Sequence, residues 1–237
     1  MLFRSIAASF GSGLVPLVFV VVLALLTLVM LLIGRYAAPR TALIAGIAVW
    51  FGVTAGFAAA RAAVDRQIEA FVARELPGMD TLDRALAPMP ANPVCWDVML
   101  ALTQGDRYLI RHATWSLAPA WISAQQCPGR DLFKDITALI APLPDANTAT
   151  VAWHGEVVMP RDQIGTLAAT SCEAAAFMRF ARIPWVLQRE GGGTVMGDLR
   201  YDREPGLGFA EIELDEKSGG CPRFIPPWIP PRQELLR

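Results

Sequence analysis

Two long charge-free stretches at the start of the chain constrain its fold more than any other feature. Residues 14–33 and 41–60 each run for twenty positions without a charged side chain. At about 1.5 Å per residue, a helix of that length covers roughly 30 Å, the thickness of a bilayer's hydrocarbon core. A lone segment in lipid must satisfy its own backbone, and only a helix does so. Charges return at Arg61. The pattern predicts an α+β protein in three parts. Residues 1–75 form a transmembrane helical hairpin with a helical extension, 76–93 a linker, and 94–237 a mostly antiparallel α+β soluble domain with a Pro-rich tail. The lipid bilayer is then the first partner.

A cleaved leader is the competing reading of the first stretch. Leaders have apolar cores of about 7–15 residues and a small-residue cleavage site. Here the core is longer and a second span follows, which favours a retained helix. The second stretch carries Gly46, Gly52 and Gly56. Gly52-Val53-Thr54-Ala55-Gly56 is a small-xxx-small pattern that admits another helix closely, either its own hairpin partner or further helices upstream. Residues 61–75 continue as an amphipathic helix with Val64, Ile68, Phe71 and Val72 on one side, ended by Pro77-Gly78. The short inter-helix loop holds Arg35 and Arg40 with no acid. The flank after the second stretch has Arg61, Arg66 and Arg74, diluted by Asp65, Glu69 and Glu75, so by the positive-inside rule the count is nearly balanced. A six-residue loop with two Arg is hard to place outside, which leans the soluble domain to the periplasm.

In the soluble part, residues 94–103 and 108–117 read as a hairpin around Gln104-Gly105-Asp106. A short helix is expected over 131–140, a strand over 149–154, and one helix from Pro160 to about Arg182 with Ile164, Leu167, Ala168, Cys172, Ala175 and Ala176 as its apolar stripe. Strands follow over 185–189, 194–199 and 209–214, the last alternating apolar residues with Glu211, Glu213 and Asp215. Residues 222–231 contain Pro226-Pro227-Trp228-Ile229-Pro230-Pro231, which favours polyproline II geometry, docked on its own domain or offered to a partner.

The net charge of −1 gives no basic field, so nucleic acid is not an expected partner. Nineteen of the 21 basic residues are Arg, a bias typical of a high-GC bacterial genome. No P-loop, GxGxxG, GxSxG or kinase signature is present. His112 and His154 sit in no spaced ligand motif, so both are expected to be structural. A metal site formed from these two and a carboxylate is the less favoured reading. Cys95, Cys127, Cys172 and Cys221 contain no CxxC, and an even count in a membrane-anchored domain fits disulfides in an oxidising compartment, with three pairings open. The alternative is four reduced thiols in the cytosol. The strongest local motif is Gly197-Asp198-Leu199-Arg200-Tyr201-Asp202. Asp198 and Arg200 are expected on one strand face, where the pair locks a turn or holds an anionic group. A metal or acid–base role for Asp198 and Asp202 is the lesser reading.

Three segments resemble a known family. They are Asn92-Pro93-Val94-Cys95-Trp96, Phe177-Met178-Arg179-Phe180-Ala181-Arg182 before Trp185, and Gly197 to Asp202 with Gly208-Phe209 after it. Together they are similar to the C-terminal portion of bacterial membrane-bound metal-dependent hydrolases, the LexA-regulated inner-membrane family, over roughly residues 40–237. The resemblance implies a multi-pass inner-membrane protein whose divalent metal, Zn or Mn, is held by histidines in an N-terminal membrane half. This chain has no histidine before His112. The resemblance therefore implies the C-terminal part of such an enzyme, with its metal site upstream. The opening Met1-Leu2-Phe3-Arg4-Ser5, which reads as one frame of a common sequencing-adapter end, points the same way. No catalytic residue carries over. Trp96, Asp198, Arg200, Tyr201 and Asp202 are expected to form the substrate-binding or structural surface. The alternative is a complete two-helix anchor presenting a binding domain without catalysis.

Overall fold

A computed structural model describes residues 16–128, 143, 147–189, 192–202, 208–214 and 235. The chain is α+β, with two long apolar helices followed by two antiparallel sheets. Helix α1 is Leu17–Tyr36 and α2 is Pro39–Glu75. The link between them is only Ala37 and Ala38, because α1 continues through Arg35 and Pro39 opens α2. Proline suits that position, where its missing N–H has no partner to lose. Each helix is long and apolar enough to cross a membrane, and the apolar window of neither is buried by the rest of the chain. Between them a Cβ on Gly46 would lie 3.7 Å from Met30, whereas Gly52 and Gly56 face open space. The small-xxx-small pair is thus not what joins the two helices.

The first sheet has the order β1-β2-β3-β4, with β1 Asp80–Met89, β2 Asn92–Gln104, β3 Arg107–Ser116 and β4 Val151–Pro160. Every neighbouring pair is antiparallel. Gln104 pairs with Arg107, leaving Gly105-Asp106 as a two-residue turn, and Gly105 supplies the positive φ of 61° that such turns require. The segment expected to be a linker, 76–93, instead contains β1. Its prolines misled the reading, but β1 is an edge strand, and an edge tolerates proline because one side of its backbone has no ladder to complete.

Strands β2 and β3 are buried on both faces, which explains the nearly continuous apolar run of β2 from Val94 to Leu102, broken only by Asp97. Strand β3 instead buries Arg111, His112, Thr114 and Ser116 among its apolar residues. On one face Trp96, Val98, Leu100 and Leu102 alternate toward α2, meeting Val64, Ile68 and Val72 of its last turns. Phe71 packs edge-on against Trp115 at 5.4 Å. Helix α2 therefore passes without a break from its apolar stretch into the core of the sheet.

The opposite face, with Cys95, Met99, Tyr108 and Ile110, meets α3 (Arg161–Thr170), α4 (Cys172–Phe177) and a second sheet. That sheet has the order β5-β6-β7: Pro184–Gln188, Thr194–Asp198 and Glu211–Leu214. The single helix expected from Pro160 breaks at Ser171, which is extended at φ −119° and ψ 121° and accepts from the Ala174 N–H to cap α4. The break turns Cys172 and Ala175 outward, off the expected apolar stripe. Residues 131–140, 215 and 222–231 lie outside the described residues.

Cys95 is bonded to Cys127, and Cys172 is disulfide-bonded as well. Cys221 lies outside the described residues. In β6, a Cβ on Gly197 would sit 2.5 Å from the buried Trp185 ring. Gly197→Ala is expected to cost about 1–3 kcal/mol, because overpacking forces the indole off its rotamer. A lowered thermal midpoint with a weakened near-UV tryptophan signal would show it; an unchanged midpoint would mean that the β5–β6 contact is loose.

Candidate functional site

The residues singled out in the sequence separate into two places. Trp96 is 1% exposed inside the α2–sheet core, where its Nε1 donates to the Pro93 carbonyl at 2.9 Å. It belongs to no surface and is not brought to the Asp198 group. Its pairing with Pro93 gives the Pro-x-x-Trp pattern a packing role.

Asp198 is the last residue of β6 and is fully buried. Arg200 is not on the same strand: the chain turns at Leu199, with the Tyr201 N–H donating to the Asp198 carbonyl at 3.0 Å. The turn brings the Arg200 guanidinium back onto the carboxylate, Nη2 at 2.6 Å and Nε at 3.1 Å. The backbone N–H groups of Arg182 (2.8 Å), Ile183 (3.4 Å) and Arg200 (3.2 Å) also donate to it. The carboxylate thus ties the chain entering β5 to the turn leaving β6, and its lone pairs are spent on these donors. Asp202 is buried beside this turn at 1% exposure.

Arg182 extends the arrangement outward. Its Nε and Nη2 grip Asp83 of β1 at 2.8 and 2.7 Å, a bidentate geometry, and Nη2 also donates to the Arg84 carbonyl. The hydrogen bonds that Arg182 donates to the Asp83 carboxylate raise its pKa above the ordinary guanidinium value. Arg84 in turn pairs with Asp65 of α2 at 2.9 Å. Alternating charges therefore run from Asp198 at the end of β6, through Arg182 ahead of β5, to Asp83 and Arg84 of β1 and Asp65 of α2. Asp65, Asp83, Arg84 and Arg182 border a groove of about 780 Å³ between α2 and β1, lined also by Arg61, Glu69 and Asp80.

On the outer side of Arg200 lies an aromatic cluster. Phe180 and Tyr201 stack at 5.7 Å, and Phe209 meets Tyr201 edge-on at 5.3 Å. The Arg200 guanidinium sits 4.8 Å from the Tyr201 ring centroid, within cation–π range. Phe209 is 68% exposed. This cluster can recognise a flat or apolar group, whereas Asp198 beneath it holds the turn.

The second place brings together His112 and His154, grouped in the sequence only as a less favoured metal site with an unnamed carboxylate, and adds Asp97 and Thr114. Asp97 of β2, His112 and Thr114 of β3, and His154 of β4 share a region of the first sheet. His112 is fully buried and its Nε2 lies 2.5 Å from Asp97 Oδ1. The Thr114 hydroxyl lies 2.8 Å from His154 Nε2, and the two imidazoles are 4.6 Å apart. The cause is a β-bulge: His112 pairs with Gly155 and Ala113 with Trp153, so His154 is the extra residue. Asp97 and His112 turn their facing atoms on each other, and His154 turns its Nε2 on Thr114. Among the described residues no group of three His, Cys, Asp or Glu side chains is arranged to hold a metal ion. The arrangement can orient an imidazole for proton transfer. The sequence signal for it was Asp97 inside the apolar run of β2 and the two histidines.

Comparison with protein-family models, curated proteins and solved structures found no significant match.

Proposed function

We propose that this chain is the bilayer-anchored, substrate-selecting part of a bacterial inner-membrane metal-dependent hydrolase, with its soluble domain in the periplasm. The observation that carries the anchoring role is α2. One helix runs from an unburied apolar stretch into the core of a sheet, so a ligand held by the domain is held at a fixed height above the membrane. Disulfide bonding of Cys95, Cys127 and Cys172 supports an oxidising compartment. Arg35 and Arg40 around the tight inter-helix turn support a cytoplasmic turn. The open faces of Gly52 and Gly56 suit close packing by further membrane helices.

The hydrolase assignment rests on the resemblance of the Asn92–Trp96, Phe177–Arg182 and Gly197–Asp202 segments. In such an enzyme a divalent metal activates water for attack on the substrate. The described residues here do not fit that metal, since Asp97, His112 and His154 are committed to one another and to Thr114. No step through a metal is derived from them. The role left to this chain is recognition, on the aromatic face of Phe180, Tyr201 and Phe209 with Arg200.

That exposed face also favours a second reading, a membrane-anchored interaction domain without catalysis. Two measurements test the proposal. Protease added to spheroplasts is expected to digest the soluble domain, while inside-out vesicles protect it; the reverse result overturns the periplasmic placement. The purified chain in nanodiscs, dialysed against Zn²⁺ or Mn²⁺, is expected to retain less than stoichiometric metal and to hydrolyse no ester or phosphoester probe. Stoichiometric metal with turnover abolished by His112→Ala would make this chain itself the enzyme, with its chemistry at the histidine pair.

A further inference from the structure

We infer that the loop 117–124 is a second membrane contact of the soluble domain, with Trp121 seated at the lipid headgroup level. The inference rests on the reading of α1 and α2 as membrane spans. The loop, Leu117-Ala118-Pro119-Ala120-Trp121-Ile122-Ser123-Ala124, carries no charge. Trp121 is 57% exposed, an unusual position for an indole on a surface that meets only water. Its ring lies 5.9 Å from that of Phe19 in the first turn of α1. A residue of the soluble domain therefore touches a residue of the first span.

The depth of that contact follows from the helix pairing. Met30 lies against Gly46. In an antiparallel pair of equal rise, Phe19, eleven residues before Met30, stands level with Phe57, eleven after Gly46. Phe57 is one turn before Arg61, the first charge after the second stretch. Trp121 thus stands where hydrocarbon gives way to headgroups, the level at which tryptophan is enriched because its ring is apolar and its N–H is polar.

The loop is also built to enter that layer. An unsatisfied backbone group is costly in a membrane. Here the Trp121 and Ile122 N–H groups both donate to the Ala118 carbonyl, at 2.9 and 3.1 Å, and the Ile122 carbonyl accepts from Ser116 Oγ at 2.5 Å. The Ala124 N–H donates to the Ala149 carbonyl at 2.8 Å. Three residues further on, Cys127 is bonded to Cys95 of β2, which fixes the loop to the sheet. The indole is presented on a rigid support, and the partner that fits an uncharged loop with much of its backbone paired at this height is the lipid surface.

Site-directed nitroxide labelling of the full chain tests this in nanodiscs of phosphatidylcholine and phosphatidylglycerol. Among the described residues no cysteine is free, so an introduced one takes the label there, with the unsubstituted chain carried through the same labelling as the blank. Labels are placed at Trp121→Cys, at Ala120→Cys with the indole kept, at Val29→Cys in α1, and at Asp106→Cys in the turn at the far end of β2 and β3. Accessibility to oxygen relative to a water-soluble nickel chelate is then compared. The expected result is a ratio at positions 120 and 121 several-fold above that at position 106, and below that at position 29. If position 29 reports lipid while 120 and 121 match position 106, the loop contact is wrong and the spans stand. Shielding of 120 and 121 from both reagents would place the loop against protein and also overturn it. If position 29 itself reports water, the membrane reading fails and the loop contact fails with it.

Discussion

Asp198→Ala is expected to destabilise the soluble domain by about 3–5 kcal/mol, the loss usual when one member of a buried, hydrogen-bonded ion pair is removed. The carboxylate is fully buried and serves the Arg200 guanidinium together with the backbone N–H groups of Arg182, Ile183 and Arg200. Truncation leaves those donors without their acceptor in a place water does not reach. Arg200→Met is expected to cost less, about 1–3 kcal/mol, because its side chain is 20% exposed and the three backbone donors still hold the carboxylate. Guanidinium unfolding in micelles, followed by tryptophan fluorescence, gives both values. If Asp198→Ala keeps the wild-type midpoint, the carboxylate does not lock the turn, and a ligand role regains its standing.

Replacing Cys95 and Cys127 together by Ala is expected to cost roughly 3–4 kcal/mol, from the loop-closure entropy of a bridge between residues 32 apart in sequence. Both side chains are buried, so alanine keeps the site apolar and the loss reflects chiefly the missing cross-link. Expression of this double variant in the periplasm, with proteolysis of the folded domain as readout, is expected to show faster cleavage around residues 117–127. Wild-type resistance in the variant would mean that the surrounding core alone holds the segment.

The two apolar helices were legible because absence of charge over twenty residues is a signal that no tertiary context obscures. The β2–β3 hairpin was legible for a similar reason, since Gly105-Asp106 punctuates two apolar runs. Strand β1 was not, because Pro88 and Pro90 look like linker punctuation unless one knows that the strand lies at an edge. The break at Ser171 was hidden by a helical spacing of small residues that continues across it. At Asp198 the link to Arg200 could be seen in the sequence, although a turn rather than a strand face makes it. The backbone of Arg182 and Ile183 could not, because peptide donors leave no sequence mark. That His112 and His154 share a site with a carboxylate could be guessed, but not that the carboxylate is Asp97 nor how they meet, because strand register and a one-residue bulge bring them together. Neither can be counted off a linear spacing.

Helix α2 has one more consequence. A span of fixed length placed in a thinner bilayer tilts to keep its apolar stretch within the hydrocarbon. Helix α2 is unbroken from Pro39 to Glu75, and Val64, Ile68 and Val72 are fixed in the sheet core. The sheet must lean by the same angle, and the groove between α2 and β1 leans with it. With α2 as a membrane span, as proposed above, the chain would convert the local thickness of the membrane into the attitude of its folded domain.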